Sequence, residues 1–316
     1  MSVMRILIAA FVAVSLAVPA GAETLKLAVG QRGNWDTSVA ELGQRAGIFK
    51  KHGLELDILY TSGGGETQQA VISRSVDIGV AAGTLGVLGA AAKGAPVRII
   101  AGETTGAADL YWYVPSGSPL KSIADLAGKT VAYSTTGSST DTVGRMAMAQ
   151  FDVPFKMVAT GNLPSTFTQV MSGQIDVGWA AAPFGVEALR DGKTRAIFRG
   201  GEIKAAQDQT IRVLLTHAAV LAQRKQALIE FMQAYRETID AMYSGDGLLA
   251  SYSEFAGIPV DVARQTRDQF FPKAAIDPDA IHGLDAIIAD GVQLKFLPAP
   301  LTPEQVKQVM AVDQLK

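Results

Sequence analysis

Residues 61–86 read TSGGGETQQAVISRSVDIGVAAGTLG, and residues 160–185 read TGNLPSTFTQVMSGQIDVGWAAAPFG. With Val71 aligned on Val170 and Gly86 on Gly185, seven of sixteen positions are identical. Each copy has the pattern of a loop, a short helix, a turn, a short strand ending in Asp-hydrophobic-Gly, and a small-residue loop. Two copies are too few for a solenoid, whose stability needs at least three stacked repeats. They predict two lobes built alike, with equivalent loops facing each other.

The flanking sequence extends this pattern. Thr24–Val29, Leu54–Tyr60 and Val97–Ala101 are apolar, strand-like runs. The first two are separated by a helix that starts at Asp36 or Ser38, carries Val39, Leu42, Ala46 and Phe49 on one face, and stops at Gly53. A second series follows the break Pro115-Ser116-Gly117-Ser118-Pro119, with strands at Lys129–Tyr133, Phe155–Ala159 and Arg195–Phe198. Strands alternating with helices at this spacing indicate βαβ units. Ile211–Thr216 is expected to return to the first lobe and to lead into one long helix, Leu221–Tyr243. The fold class expected is therefore α/β in two lobes, each a mostly parallel sheet flanked by helices, with a cleft between them. Residues 23–109 plus 212–316 make the first lobe and 110–211 the second.

Composition narrows the function. The chain has 316 residues, 48% of them hydrophobic, a net charge of −2 and no cysteine. No run of Lys or Arg offers a nucleic-acid footprint. Residues 1–22 carry a basic start at Arg5, an apolar run Ile6–Val18 and a small-residue site Ala20-Gly21-Ala22, the pattern of a secretory signal peptide cleaved after Ala22. Without a cysteine there is neither a disulfide nor a lipid attachment point, so the expected product is a soluble, unanchored protein of the bacterial periplasm. No G-x-S-x-G, H-E-x-x-H, P-loop or strand-following G-x-G-x-x-G occurs, and the three histidines, His52, His217 and His282, are scattered. No catalytic residue, metal ligand or cofactor is expected.

What remains is a set of small polar loops at the carboxyl ends of predicted strands, where open α/β sheets bind ligands. These are Gly30–Trp35, Thr61–Glu66, Ala81–Thr84, Ser134–Thr140 and Ala180–Phe184. Most lead into helices, whose first N–H groups point outward with the positive end of the dipole. The candidate ligand-binding residues are Arg32, Asn34, Trp35, Ser62, Gly63, Gly64, Ala82, Gly83, Thr84, Thr136, Gly137, Ser138, Ser139, Trp179 and Ala181. Arg32 is the one cation in these loops and the candidate partner for a carboxylate or sulfonate. Trp35 and Trp179, with Phe184 nearby, come from different lobes and are placed to sandwich a flat or apolar ligand body. Helix capping accounts for any one of these loops alone, and helix N-terminal stabilisation accounts for Glu66.

The blocks RAGIFKKHGLELDI (45–58), SGGGETQQAVISRSVDIGVA (62–81), AAKGAPVRIIA (91–101) and LKSIADLAGKTVAYSTTGSST (120–140) resemble the aliphatic sulfonate, nitrate and taurine family of periplasmic solute-binding proteins, a group related to the thiamine-pyrimidine binding proteins. The resemblance implies a type II periplasmic-binding-protein fold with two crossovers. It also implies a monomer that closes on a small organic anion and delivers it to the permease of an ABC importer. The family's site loops correspond here to Gly30–Trp35, Ser62–Gly65, Ala81–Thr84, Ser134–Ser139 and Trp179–Ala181. Two other readings share the scaffold: an enzyme like the group's pyrimidine-forming relatives, and a sensor that presents its ligand to a receptor.

Overall fold

The structure is a computed structural model that describes residues 22–316. The segment expected to be a signal peptide, residues 1–22, lies, apart from Ala22, outside the described residues. Ten strands follow in chain order: β1 Glu23–Gly30, β2 Leu54–Thr61, β3 Ile78–Gly83, β4 Val97–Thr105, β5 Leu110–Pro115, β6 Thr130–Tyr133, β7 Lys156–Ala159, β8 Gly178–Ala181, β9 Thr194–Arg199 and β10 Thr210–His217. They form two α/β lobes.

The lobe 1 sheet has the order β2-β1-β3-β10-β4. β1 runs parallel to β2 and β3, while β10 is antiparallel to both its neighbours. In lobe 2, β6 pairs parallel with β7, and β5 lies antiparallel between β8 and β9. A bridge from Val131 to Val177 joins the two pieces, giving the order β7-β6-β8-β5-β9. The two sheets thus have one topology: four strands point one way, and the reversed strand sits beside the edge. That reversed strand is in each case the one whose chain arrives from the other lobe, β5 from β4 and β10 from β9.

Burial follows from the period-two alternation of strands. Along β1, Leu25, Leu27 and Val29 face a core with Trp35, Phe49, Phe231 and Tyr235, whereas Ala28 faces a second core with Val71, Leu85, Val213 and Ile287. Lobe 2 has its own core, in which Trp112 stacks on Phe198 at 4.6 Å between centroids.

The internal repeat is real in three dimensions. The Gly64–Ile72 and Leu163–Met171 helices are each nine residues long. Thr61 and Thr67 share a hydroxyl hydrogen bond of 2.8 Å, and Thr160 and Thr166 one of 2.6 Å. Asp77 accepts the Lys26 N–H of β1 at 2.8 Å, and Asp176 accepts the Thr130 N–H of β6 at 2.9 Å. Each aspartate therefore fastens its helix-strand unit to the neighbouring parallel strand, β1 or β6. Both aspartates stand ahead of their strands, so the Asp-hydrophobic-Gly segment begins the strand and does not end it. The small residues after it belong to the strand.

Two helices differ from expectation. The helix after β1 is a 3-10 turn, Asp36–Ser38, followed by Val39–Arg45 and Ile48–Lys51, interrupted where Gly47 takes φ 74°. The long helix is two, Ala218–Gln223 and Lys225–Tyr243. The break falls at Arg224, whose guanidinium is drawn to Glu23, the Thr24 carbonyl and Asp77.

Candidate functional site

The loops at the strand ends meet between the lobes in two chambers. The inner one is lined by Gly30, Gln31, Asn34, Thr37, Gly63, Gly64 and Ala81 from lobe 1, and by Ser134, Ser138, Ser139, Thr140, Trp179 and Ala181 from lobe 2; Leu110 and Arg212 complete it. Its volume is 20 Å³, room for about one water. The outer chamber, of 430 Å³, is lined by Gln31–Asn34, Tyr60–Ser62, Glu66, Ala256 and Ile258 on one side, and by Asn162–Pro164, Pro183 and Phe184 on the other. Gln31 and Ala81 hold φ of 73° and 63°. Non-glycine residues in that region carry strain, which tends to collect at ligand sites.

Arg32 is exposed at the outer chamber, its guanidinium 4.2 Å from the centroid of Phe255 and 6.0 Å from that of Tyr60. This stacking holds a planar cation without consuming its hydrogen-bond donors. Among the described residues it has no carboxylate partner. Ser62 lines the same chamber, and its N–H donates to Glu66 at 2.8 Å.

The other candidates divide. Asn34, Gly63, Gly64, Ser138, Ser139, Trp179 and Ala181 line the inner chamber. Ser138 caps the Ser139–Phe151 helix, accepting from the Asp141 N–H. Trp35 does not line either chamber: it is fully buried, donates to the Tyr243 hydroxyl at 2.9 Å, and packs edge-on against Tyr252. The expected sandwich of Trp35 and Trp179 is therefore absent, because the turn after Asn34 swings the indole into the lobe 1 core. Ala82 is also misplaced, since strand alternation sends it into the core beneath the sheet. Thr84 is buried and donates to the Thr210 carbonyl at 2.6 Å, tying its helix to β10. Gly83 abuts Gly137 and Ser138 of the other lobe. Thr136 and Gly137 face a separate groove of 630 Å³ with Gly65, Gly86 and Phe296.

The feature absent from the candidate set is Arg212. Its guanidinium, buried at the floor of the inner chamber, bonds Asp36 at 2.6 Å, Asp109 at 2.7 Å and Ser139 Oγ at 3.1 Å. Burial lowers its proton affinity, but the carboxylates of Asp109, Asp36 and Glu103 overrule this and keep it charged. Glu103 is buried with no hydrogen-bond partner for either oxygen. Burial, reinforced by the charge of Asp36, pushes its carboxyl well above the usual range. The only hint in the sequence is a lone Arg in the apolar strand IRVLLT. A buried arginine requires partners, but their identity depends on residues more than a hundred positions away.

Comparison with known proteins now fits onto this geometry. Residues 39–245, about two thirds of the chain, match the model of a family described as NMT1/THI5 like. The chain belongs to the NMT1/THI5-like family. Both repeat copies and both crossovers of this NMT1/THI5-like chain fall inside the matched span. Among curated proteins no sequence match was found. The fold is similar to that of the alkanesulfonate-binding protein of Xanthomonas axonopodis pv. citri bound to MOPS, at 17% identity and TM-score 0.75, covering 92% of this chain and 99% of that one. It is also similar to the periplasmic nitrate-binding protein of Synechocystis PCC 6803, at 14% identity and TM-score 0.72, covering 92% and 86%. The desulfurization enzyme DSZB shares the fold at 15% identity and TM-score 0.62, covering 93% and 97%. The resemblance drawn from blocks 45–140 is thus borne out in family and in fold.

Proposed function

We infer that this protein is the solute-capturing component of an import system. In this reading it is a periplasmic monomer, freed of residues 1–22, that binds a small organic anion between its lobes and delivers it to the permease of an ABC importer. Residues 23–109 with 212–316, and residues 110–211, move as the two bodies.

The observation that carries this reading is Arg32 in the outer chamber: an accessible cation with free donors, in a space of 430 Å³ walled by both lobes. That volume suits a small molecule. Polar residues stand beside the cation, and Leu163, Pro164, Pro183 and Phe184 with Ile258 supply an apolar part of the wall, which favours an acid with an apolar body. Arg212 is a poor alternative partner, because Asp36 and Asp109 already occupy it. Contacts from both lobes to one solute favour the closed arrangement over the open one.

Capture without turnover is supported by the lining of the chambers, which contains no histidine, and by the absence of cysteine from the chain. Both are residue types on which catalysis in such a cleft commonly depends. The fold shared with the sulfonate- and nitrate-binding proteins supports the same reading.

The test is a thermal-shift screen of alkanesulfonates, aromatic carboxylates, nitrate and pyrimidines. A true ligand at 100 times its Kd stabilises the native state by about 2.7 kcal/mol. Arg32→Ala is expected to weaken binding of the best acid by about tenfold or more, the worth of a charge-assisted hydrogen bond, with little change in stability. An unchanged affinity rejects Arg32 as the anion partner. Steady conversion of the bound compound by purified protein rejects the capture reading itself.

A further inference from the structure

Several glycines of the cleft loops have a role that a helix start does not explain. Gly63, Gly65, Gly83 and Gly86 of lobe 1 present bare Cα atoms to the Ser134–Ser138 turn of lobe 2. A Cβ on Gly63 would lie 2.7 Å from Ser134 Oγ. On Gly65 it would strike the Thr136 carbonyl oxygen, and on Gly83 or Gly86 the Gly137 carbonyl oxygen. Two hydrogen bonds span the same gap independently: Gly65 N–H to Thr135 Oγ1 at 2.9 Å, and Arg212 Nε to Ser139 Oγ at 3.1 Å.

The second copy of the repeat serves as an internal control. At the positions of Gly63, Gly64 and Gly65 it has Asn162, Leu163 and Pro164, and Asn162 caps its helix by accepting the Ser165 N–H at 2.9 Å. The Gly64–Ile72 helix lacks any such side-chain cap. Opposite Gly86 stands Gly185, but Gly185 needs to be glycine for its own φ of 77°. Gly86 lies inside the Thr84–Ala92 helix with no positive φ, where alanine is the better helix former. The three atoms nearest a Cβ at Gly86 all belong to Gly137. The obstacle to a side chain at Gly86 is thus the other lobe and not its own helix.

We propose that Gly86 against Gly137, with Gly65 against Thr135 and Thr136, forms a closure seam. This is a direct contact between the lobes, beside the chambers and separate from any solute contact, and it sets how closely the two walls approach. The glycines are positioning residues: they act on the solute by fixing the distance between Arg32 on one wall and Asn162–Phe184 on the other. The seam rests on the capture reading for its purpose but not for its existence. Because protein contacts supply part of the closure, the closed arrangement is populated before solute arrives, and apparent affinity scales with that population.

The chain has no cysteine, so spin labels can be placed on Lys93→Cys of lobe 1 and Lys121→Cys of lobe 2 without background. The interlobe distance distribution is then measured by pulsed EPR on the solute-free protein. The parent distribution is expected to contain a short-distance component that Gly86→Ala removes and Gly65→Ala reduces. Gly117→Ala, where a Cβ meets nothing within 4 Å, should leave it intact. Thermal unfolding of Gly86→Ala is expected at or above the parent midpoint, because the helix gains an alanine. Identical distributions for parent, Gly86→Ala and Gly65→Ala, whether all short or all long, overturn the seam. If Gly86→Ala fails to fold, Gly65→Ala decides; failure of both to fold also overturns the proposal, since the glycines would then serve the lobes and not their meeting. No solute enters the measurement, so an empty ligand screen leaves its outcome unaffected.

Discussion

The two copies of the helix-strand unit, 61–86 and 160–185, agree where they hold their own lobe together and differ where they face the other. The agreement is a pair of threonines and one aspartate: Thr61–Thr67 with Asp77, and Thr160–Thr166 with Asp176. The differences are glycine for Asn162, Leu163 and Pro164, and Val80 for Trp179. Val80 is ordinary core, whereas Trp179, only 2% exposed, forms part of the inner chamber wall with an indole N–H that has no partner. The shared threonines and aspartates therefore report the scaffold, the unshared Gly63–Gly65 report what lies across the cleft, and Gly86, shared with Gly185, is glycine in the two copies for different reasons. Similarity within a chain can be used in this way without any second sequence.

The strongest way to break this comparison is at a residue that belongs to neither copy, Arg212 of β10. Arg212→Ala would leave Asp36 and Asp109 buried without their counterion, a loss of roughly 3–5 kcal/mol. Urea unfolding should show it as a large fall in midpoint. A loss below about 1 kcal/mol would mean that the cluster is hydrated and that the lobes are not joined through it.

A smaller effect tests the equivalence of the copies. Asp77→Ala and Asp176→Ala each remove a carboxylate that accepts a backbone N–H from the neighbouring parallel strand, β1 or β6. Each is expected to cost about 1–2 kcal/mol, near the lower range for hydrogen bonds to charged groups, because both sites are partly exposed. Asp77 also pairs with Arg224 at 2.7 Å, so its variant should be the worse of the two. The reverse order, read from paired denaturation curves, would show that the two units are not held alike.

The last test concerns Glu103 in β4, buried with no hydrogen-bond partner for either oxygen. Its folded-state carboxyl titrates above its unfolded value. The stability it contributes is therefore complete below the unfolded pKa and declines as pH rises towards the folded one. Lowering the pH from 8 towards 5 should raise the unfolding midpoint, and Glu103→Gln should flatten that slope while changing little at pH 5. A midpoint whose slope is the same in the variant would place the titration elsewhere.

Local pattern was enough for much of this. Strand alternation, helix periodicity and the repeat predicted nine of the ten strands, all but β5, in two α/β lobes, since each element depends on residues within about ten positions of one another. It also led to loops that meet at the inner chamber: Asn34, Gly63, Ser138, Ser139 and Ala181 stand on its wall. It did not predict side-chain direction at the loop ends. Trp35 turns into the core because Tyr243 and Tyr252 offer a hydrogen bond and an edge-on face, and both arrive from a distant helical segment. Ala82 was placed in a loop that is in fact strand, and the pleat then decided its side.

By itself, then, the sequence determined the elements and their duplication, because hydrophobic period and turn chemistry are short-range properties. Tertiary structure decided which strand is reversed in each sheet, and that Arg212 meets both Asp36 and Asp109. It also decided that Gly83 and Gly86 of the first copy lie against Gly137. Each of these is a meeting of segments far apart in the chain, fixed by packing and by the requirement that a buried charge find its partners. No local pattern encodes such meetings.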